Sequence, residues 1–288
     1  MTDNIKEETV AEIKPITTID QINQIIKRRD ITYATHCMVP SLKREVPFNE
    51  INTSQQKRLV KSVIDSPVYN TEFIYTLHEI LKENCQDDMI NIDNLTIIDK
   101  LILALALRVK SIGNTIDIEI QTKSEKKVNV SLDIAQIHNM ALTALQDINN
   151  EIFEDSYFKV ICSVPTIGDE FKLEKEKRSN VTNIQIENVQ ELRRVVGEAF
   201  TDEIVKYING VFIKSSEDTL IPINWQQFNY IDRIKILDTF KAPLLKDILN
   251  YINKIRKEID KIELINVEFE GETYERRLSI DGNFFTIS

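Results

Sequence analysis

One segment restricts the fold more than any other. Residues 94–111 place Leu95, Ile97, Ile98, Leu101, Ile102, Leu103, Ala104, Leu105, Ala106, Leu107 and Val109 on nearly every side of a helix. A helix that is apolar all round has to be surrounded by other protein. The run after Lys100 stays apolar for seven residues, whereas a bilayer span takes about 20. The centre of a folded domain is therefore its predicted place, with Gly113 as the C-terminal stop.

The rest of the chain supplies covering elements of two periods. Helical spacing sets Ile19, Ile22, Ile25 and Ile26 on one face after a cap at Thr18 or Asp20. It continues in residues 53–64, capped by Thr53 and ended by Pro67, and in residues 71–84, where Phe73, Ile74, Leu77, Ile80 and Leu81 form a stripe. Further helices are predicted over 134–153, 189–208, 225–240 and 242–262. The last carries Leu245, Ile248, Leu249, Ile252, Ile255, Ile259 and Ile262 as a packing face, in a core or against a partner helix. Extended alternation predicts hairpins over 31–39 with 44–48, over 116–120 with 128–132, and over 265–269 with 274–280. Strands are read at 157–164, 211–213 and 220–223, and a charged surface loop at 168–179.

This is a helix-rich α+β pattern with β-hairpins near the N-terminus, mid-chain and at the C-terminus. Each half closes with a helix and then a hairpin. That order divides the chain into a flexible tail at 1–15, an N-terminal helix-and-hairpin domain at 16–153 and a C-terminal one at 154–288.

The formal net charge of −10 repels phosphate backbones, so nucleic-acid binding is not expected. The basic runs at 27–29 and 175–178 read as solvated faces. Cys37, Cys85 and Cys162 are odd in number and far apart, which argues against a disulfide framework and for a reducing compartment. The first twelve residues are acidic and polar and lack the apolar stretch of a secretory signal. No membrane partner is expected.

Catalytic chemistry finds little support. His36 and Cys37 are adjacent in an extended segment and point to opposite faces. His78 and Cys85 lie on one helix but about 10 Å apart along its axis, too far for one zinc ion. A Cys162–His138 pair would have to be assembled in space, and no Gly-x-Ser-x-Gly elbow or glycine-rich phosphate loop occurs. The expectation is no catalytic residue, no cofactor and no metal.

Three segments, taken in order, resemble the baseplate hub assembly proteins of T-even-type contractile-tailed bacteriophages. The first is Val39-Pro40-Ser41-Leu42-Lys43-Arg44-Glu45-Val46-Pro47-Phe48, followed by Gln56-Lys57-Arg58-Leu59. The second runs from Asn94-Leu95-Thr96-Ile97-Ile98-Asp99-Lys100 to Leu107-Arg108-Val109-Lys110-Ser111-Ile112-Gly113. The third is Leu278-Ser279-Ile280-Asp281-Gly282-Asn283-Phe284-Phe285. Members of that family often carry Cys-x-x-Cys pairs in their hairpins. At the matching places this chain has Thr122-Lys123-Ser124 and Phe269-Glu270-Gly271. The family's metal is therefore not carried over, and the hairpins must hold by strand pairing and packing. The chain is also longer than a typical member, with the excess between residues 133 and 220.

The resemblance implies a non-enzymatic assembly factor that binds hub and tape-measure proteins, acting in the host cytoplasm during assembly or retained in the virion baseplate. A permanent structural subunit of the virion and an unrelated enzyme with a site not visible in sequence are the competing readings. A homo-oligomer is a further expectation. The residues singled out are architectural or interfacial: Pro40 and Ser41 for the hairpin turn, Phe48, Asp99, Ser111 and Gly113 from the motifs, Arg108 for a carboxylate or helix carbonyls, and Trp225, Phe284 and Phe285 as aromatic anchors in a core or at an interface.

Overall fold

The apolar segment forms α4 (Ile97–Ser111), with residues 97–100 and 102–108 all buried. The computed structural model describes residues 18–32, 34–65, 71–123, 125–181, 204–215 and 219–286. Each fully buried Leu or Ile of α4 contributes about 1.5–3 kcal/mol, and the elements around it exist to keep that surface dry. In chain order the elements before and after it are α1 (Ile19–Thr32), β1 (Thr35–Val39), β2 (Arg44–Phe48), α2 (Thr53–Asp65), α3 (Thr71–Asn84), β3 (Thr115–Gln121), β4 (Lys127–Asp133) and α5 (Ile134–Ala144). After them come β5 (Glu151–Glu154), β6 (Phe158–Cys162), α6 (Ile167–Val181), β7 (Ile208–Lys214), β8 (Leu220–Ile223), α7 (Tyr230–Leu237), α8 (Ala242–Glu263), β9 (Leu264–Phe269) and β10 (Glu272–Arg277).

The architecture is α+β. Three hairpins, β1–β2, β3–β4 and β9–β10, are separate antiparallel pairs, and a four-stranded antiparallel sheet runs in the order β5-β6-β7-β8. The first hairpin turns through a short 3-10 segment, Pro40–Leu42, closed by Lys43 in the left-handed region at φ 51°. In the second and third, apolar residues alternate with polar ones and face inward. The hairpins touch where the Lys123 ammonium donates to Glu272 Oε1 at 2.7 Å.

Two clusters of buried side chains result. The first gathers α4 with β1, β2, α2 and α3, and also takes in Ile262, Ile265, Val267, Leu278, Phe284 and Phe285 from the far end of the chain. The second joins the four-stranded sheet to α7 and α8 through Val160, Val211, Trp225, Leu237, Ile248 and Ile255. Helix α8 serves both: residues from Leu244 to Ile255 belong to the second cluster and Ile262 to the first.

Several elements differ from the expectation. The helix read over 134–153 ends at Ala144, where Leu145 turns extended at ψ 140°. The carboxylate of Glu258 accepts from Gln146 N–H at 2.8 Å and from Lys261, which fixes the following stretch against α8. Residues 151–154 then pair with β6 around a turn in which Asp155 Oδ1 accepts from Tyr157 N–H and Phe158 N–H, both at 2.7 Å. Sheet pairing overrides the helical pattern there.

The loop expected at 168–179 is α6. Thr166 and Asp169 form a reciprocal cap: Asp169 N–H donates to Thr166 Oγ1 at 3.0 Å, and Thr166 N–H to Asp169 Oδ2 at 3.4 Å. Residue 53 is the first helical residue of α2 and not its cap. Asn52 caps instead, its Oδ1 accepting from Gln55 N–H at 3.0 Å. The helix read over 225–240 is a 3-10 turn, Trp225–Gln227, followed by α7, which Asn229 caps through Asp232 N–H at 2.9 Å. The helix over 189–208 falls mainly outside the described residues, and its last residue, Ile208, begins β7. The 1–15 tail and Pro67 also lie outside them.

Candidate functional site

The motif residues converge on the two ends of α4. At its start, Thr96 and Asp99 form a capping box, with Asp99 N–H donating to Thr96 Oγ1 at 3.1 Å and Thr96 N–H to Asp99 Oδ2 at 2.8 Å. The other carboxylate oxygen accepts Ser41 N–H at 2.9 Å, so one buried aspartate ties the helix to the turn of the first hairpin. Pro40 opens that turn and Phe48 ends β2, fully buried in the first cluster.

At the other end, Arg108 is 1% exposed. The pairing with a carboxylate offered as one possibility from sequence does not form. The guanidinium donates instead to three carbonyls: Nε to Phe284 O at 2.7 Å, Nη1 to Gly113 O at 2.7 Å and Nη2 to Thr115 O at 2.9 Å. Burial pushes its pKa below the usual arginine value, yet a guanidinium stays charged in proteins. Gly113 sits at φ 140°, a conformation that suits glycine and lets the chain leave the helix under Arg108. Ser111 Oγ accepts from Ile51 N–H at 2.7 Å. Phe284 and Phe285 meet edge to face with centroids 5.2 Å apart, and Trp225 is buried in the second cluster under the Arg233 guanidinium. Of the three aromatic candidates, Trp225, Phe284 and Phe285 are each 2% exposed or less, packed inside a core of the single chain.

The thiols and histidines are held in structural settings. Burial pushes Cys37 and Cys162 up to about 12, which keeps both protonated and unreactive, and raises the half-buried Cys85 as well. His78 bonds Asp93 Oδ1 at 2.6 Å, and its ring lies tilted against that of Phe171 with centroids 4.6 Å apart. Cys85 Sγ contacts Asp87 O at 3.8 Å. His138 lies on α5 and Cys162 on β6, in the second cluster. Among the described residues no group of three or more His, Cys, Asp or Glu is placed to hold a metal ion.

What the described surface does offer is apolar area. On α1, Ile19, Ile22, Ile25 and Ile26 are 44–74% exposed, a stripe at helical spacing with no cover among the described residues. The four-stranded sheet buries Val160 and Val211 against α8 and turns Ile152, Ile161 and Phe212 to its opposite face, where Gly210 leaves room beside Ile161 and Phe212. A Lys214–Glu154 ion pair at 3.2 Å borders this face. Edge strand β8 carries Leu220, Ile221 and Pro222 exposed. Proline cannot donate to a ladder, so Pro222 discourages open-ended strand addition and favours contact through faces.

Apolar area left exposed at α1 and β8 is of the kind that marks contact sites for other chains. More particularly, the family model described as T4 bacteriophage base plate protein matches residues 31–270, and the chain belongs to that family. Its role is structural or assembly-related in the phage baseplate, among other baseplate and tail proteins. The match covers the first two motif segments and stops before the third. No curated protein and no solved structure matches the chain. Among the described residues, no helix is long and apolar enough to cross a membrane.

Proposed function

We propose that this chain is a non-enzymatic assembly factor of the baseplate hub that binds hub and tape-measure proteins through helix and sheet faces. The observation that supports the reading is the exposed isoleucine stripe of α1. A surface of this kind costs solubility in a free monomer and is stabilised by a partner. Baseplate family membership supplies the setting.

Co-expression with each hub and tape-measure protein tests it. A co-purifying complex that is lost when Ile22 and Ile26 are changed to Lys supports the reading; a chain that remains alone with every tail protein sinks it. Mass spectrometry of purified particles separates the assembly role from that of a permanent virion subunit. An assembly factor is depleted there, whereas a subunit is present at fixed stoichiometry.

A further inference from the structure

The end of the described chain is held in an unusual way. Leu278 N–H donates to Glu263 O at 2.7 Å, and beyond it the backbone–backbone bonds among the described residues are local: Phe284 to Asp281, Phe285 to Gly282 and Thr286 to Asn283. Phe284 and Phe285 are nevertheless 1% and 0% exposed. Side chains hold them. Arg108 Nε donates to Phe284 O and Gln56 Nε2 to Phe285 O, each at 2.7 Å. The Phe285 ring lies 6.2 Å from that of Phe73. Gly282 presses on α2 so closely that a Cβ there would sit 2.6 Å from Leu59 O. Its φ of −61° is ordinary for any residue, so the glycine is needed for space alone.

Two adjacent aromatic anchors, main-chain carbonyls read by side-chain donors, and no ladder or helix shared with the receptor are the features of a peptide bound in a groove. We propose that the groove formed by α2, α3 and α4 is a peptide-binding site, filled in the single chain by residues 281–286 and able to accept the same segment from a second copy when its own is displaced. The donors of Arg108 and Gln56 select main-chain carbonyls, and the apolar floor selects paired aromatic side chains. Because the segment shares no backbone pairing with its receptor, it opens at less cost than the whole fold. A second copy makes identical contacts, which is the condition for exchange of a segment between chains.

The test uses the full chain with a weakened segment and an intact groove, in the variants Gly282→Val and Phe285→Leu. A fluorescent peptide carrying the sequence of residues 278–286 is titrated against each and against the unaltered chain, and binding is read by anisotropy. Both folded variants should bind it at least about tenfold more tightly than the unaltered chain, whose groove is occupied. A peptide with both phenylalanines replaced by serine should not bind. Gly282→Val carries the larger steric insult. If it does not fold, Phe285→Leu decides alone. Folded variants with no gain in binding, or equal binding of the serine peptide, overturn the proposal.

Discussion

Lys100 and Glu170 form an ion pair between the first turns of α4 and α6, each one residue beyond the aspartate that caps its own helix. The cap threonines, Thr96 and Thr166, pair across an antiparallel bridge, and Ile97 N–H and Ile167 N–H donate to Pro165 O and Leu95 O at 3.0 and 2.7 Å. Two helix starts with the same Thr-x-x-Asp chemistry are thus joined about a local two-fold relationship. The Lys100 and Glu170 side chains are only 10% and 17% exposed. Lys100→Met should therefore lower stability by about 2–3 kcal/mol, because it leaves a mostly buried carboxylate without its cation. Lys100→Met with Glu170→Leu should recover much of that loss. Urea unfolding of the single and double variants measures both, and an unchanged midpoint in Lys100→Met removes the pair from the account.

Arg108→Ala should cost more, about 3–5 kcal/mol, since it creates a cavity and strips one buried and two partly buried carbonyls of their donor. Arg108→Lys keeps a charge but lacks the planar fork needed to reach all three, so it should restore only part of the loss. Melting temperatures of the two variants, compared with the unaltered chain, check the order.

The thiols should report on folding. With burial pushing Cys37 and Cys162 up to about 12, iodoacetamide at mildly alkaline pH should modify the half-buried Cys85 first. Cys37 and Cys162 should react only as the protein unfolds. Peptide mass spectrometry of a labelling time course distinguishes the three sites, and prompt modification of Cys37 in the native protein would contradict the packing of the first hairpin.

Acid should weaken the junction of α3 with the 3-10 turn at Ile92–Asn94. Partial burial disfavours the charge on Asp93, but its bonds to Lys82 and His78 outweigh that and hold the carboxyl below the ordinary aspartate value. A depressed folded-state pKa stabilises the protein fully above the unfolded value, and that stabilisation is lost as pH falls through the folded one. Thermal stability should therefore drop from about pH 5 downward, with a shallower drop in Asp93→Asn. Parallel pH profiles of the two proteins test this.

Much of the secondary structure was legible. The all-round apolarity of residues 97–107 required a buried helix, and the alternation at 116–120 and 265–269 required strands, because each signal is written into a few consecutive side chains. The second capping box was present in Thr166 and Asp169 but was masked by the charged residues after it, which are the solvated face of a helix and not a loop. The helix boundary missed at Ala144 depended on Glu258, more than one hundred residues away, whose carboxylate catches the next turn.

By itself, the sequence determined most of the segments that coil and extend, and that the surface of α4 must be enclosed. Those outcomes follow from periodicity and cap chemistry acting over a few residues. Only the tertiary structure decided what encloses α4, why Arg108 needs no carboxylate, and that a segment 176 residues distant supplies one of its carbonyls. Such contacts are selected by competition among many apolar surfaces for the same space, and no local pattern records which of them wins.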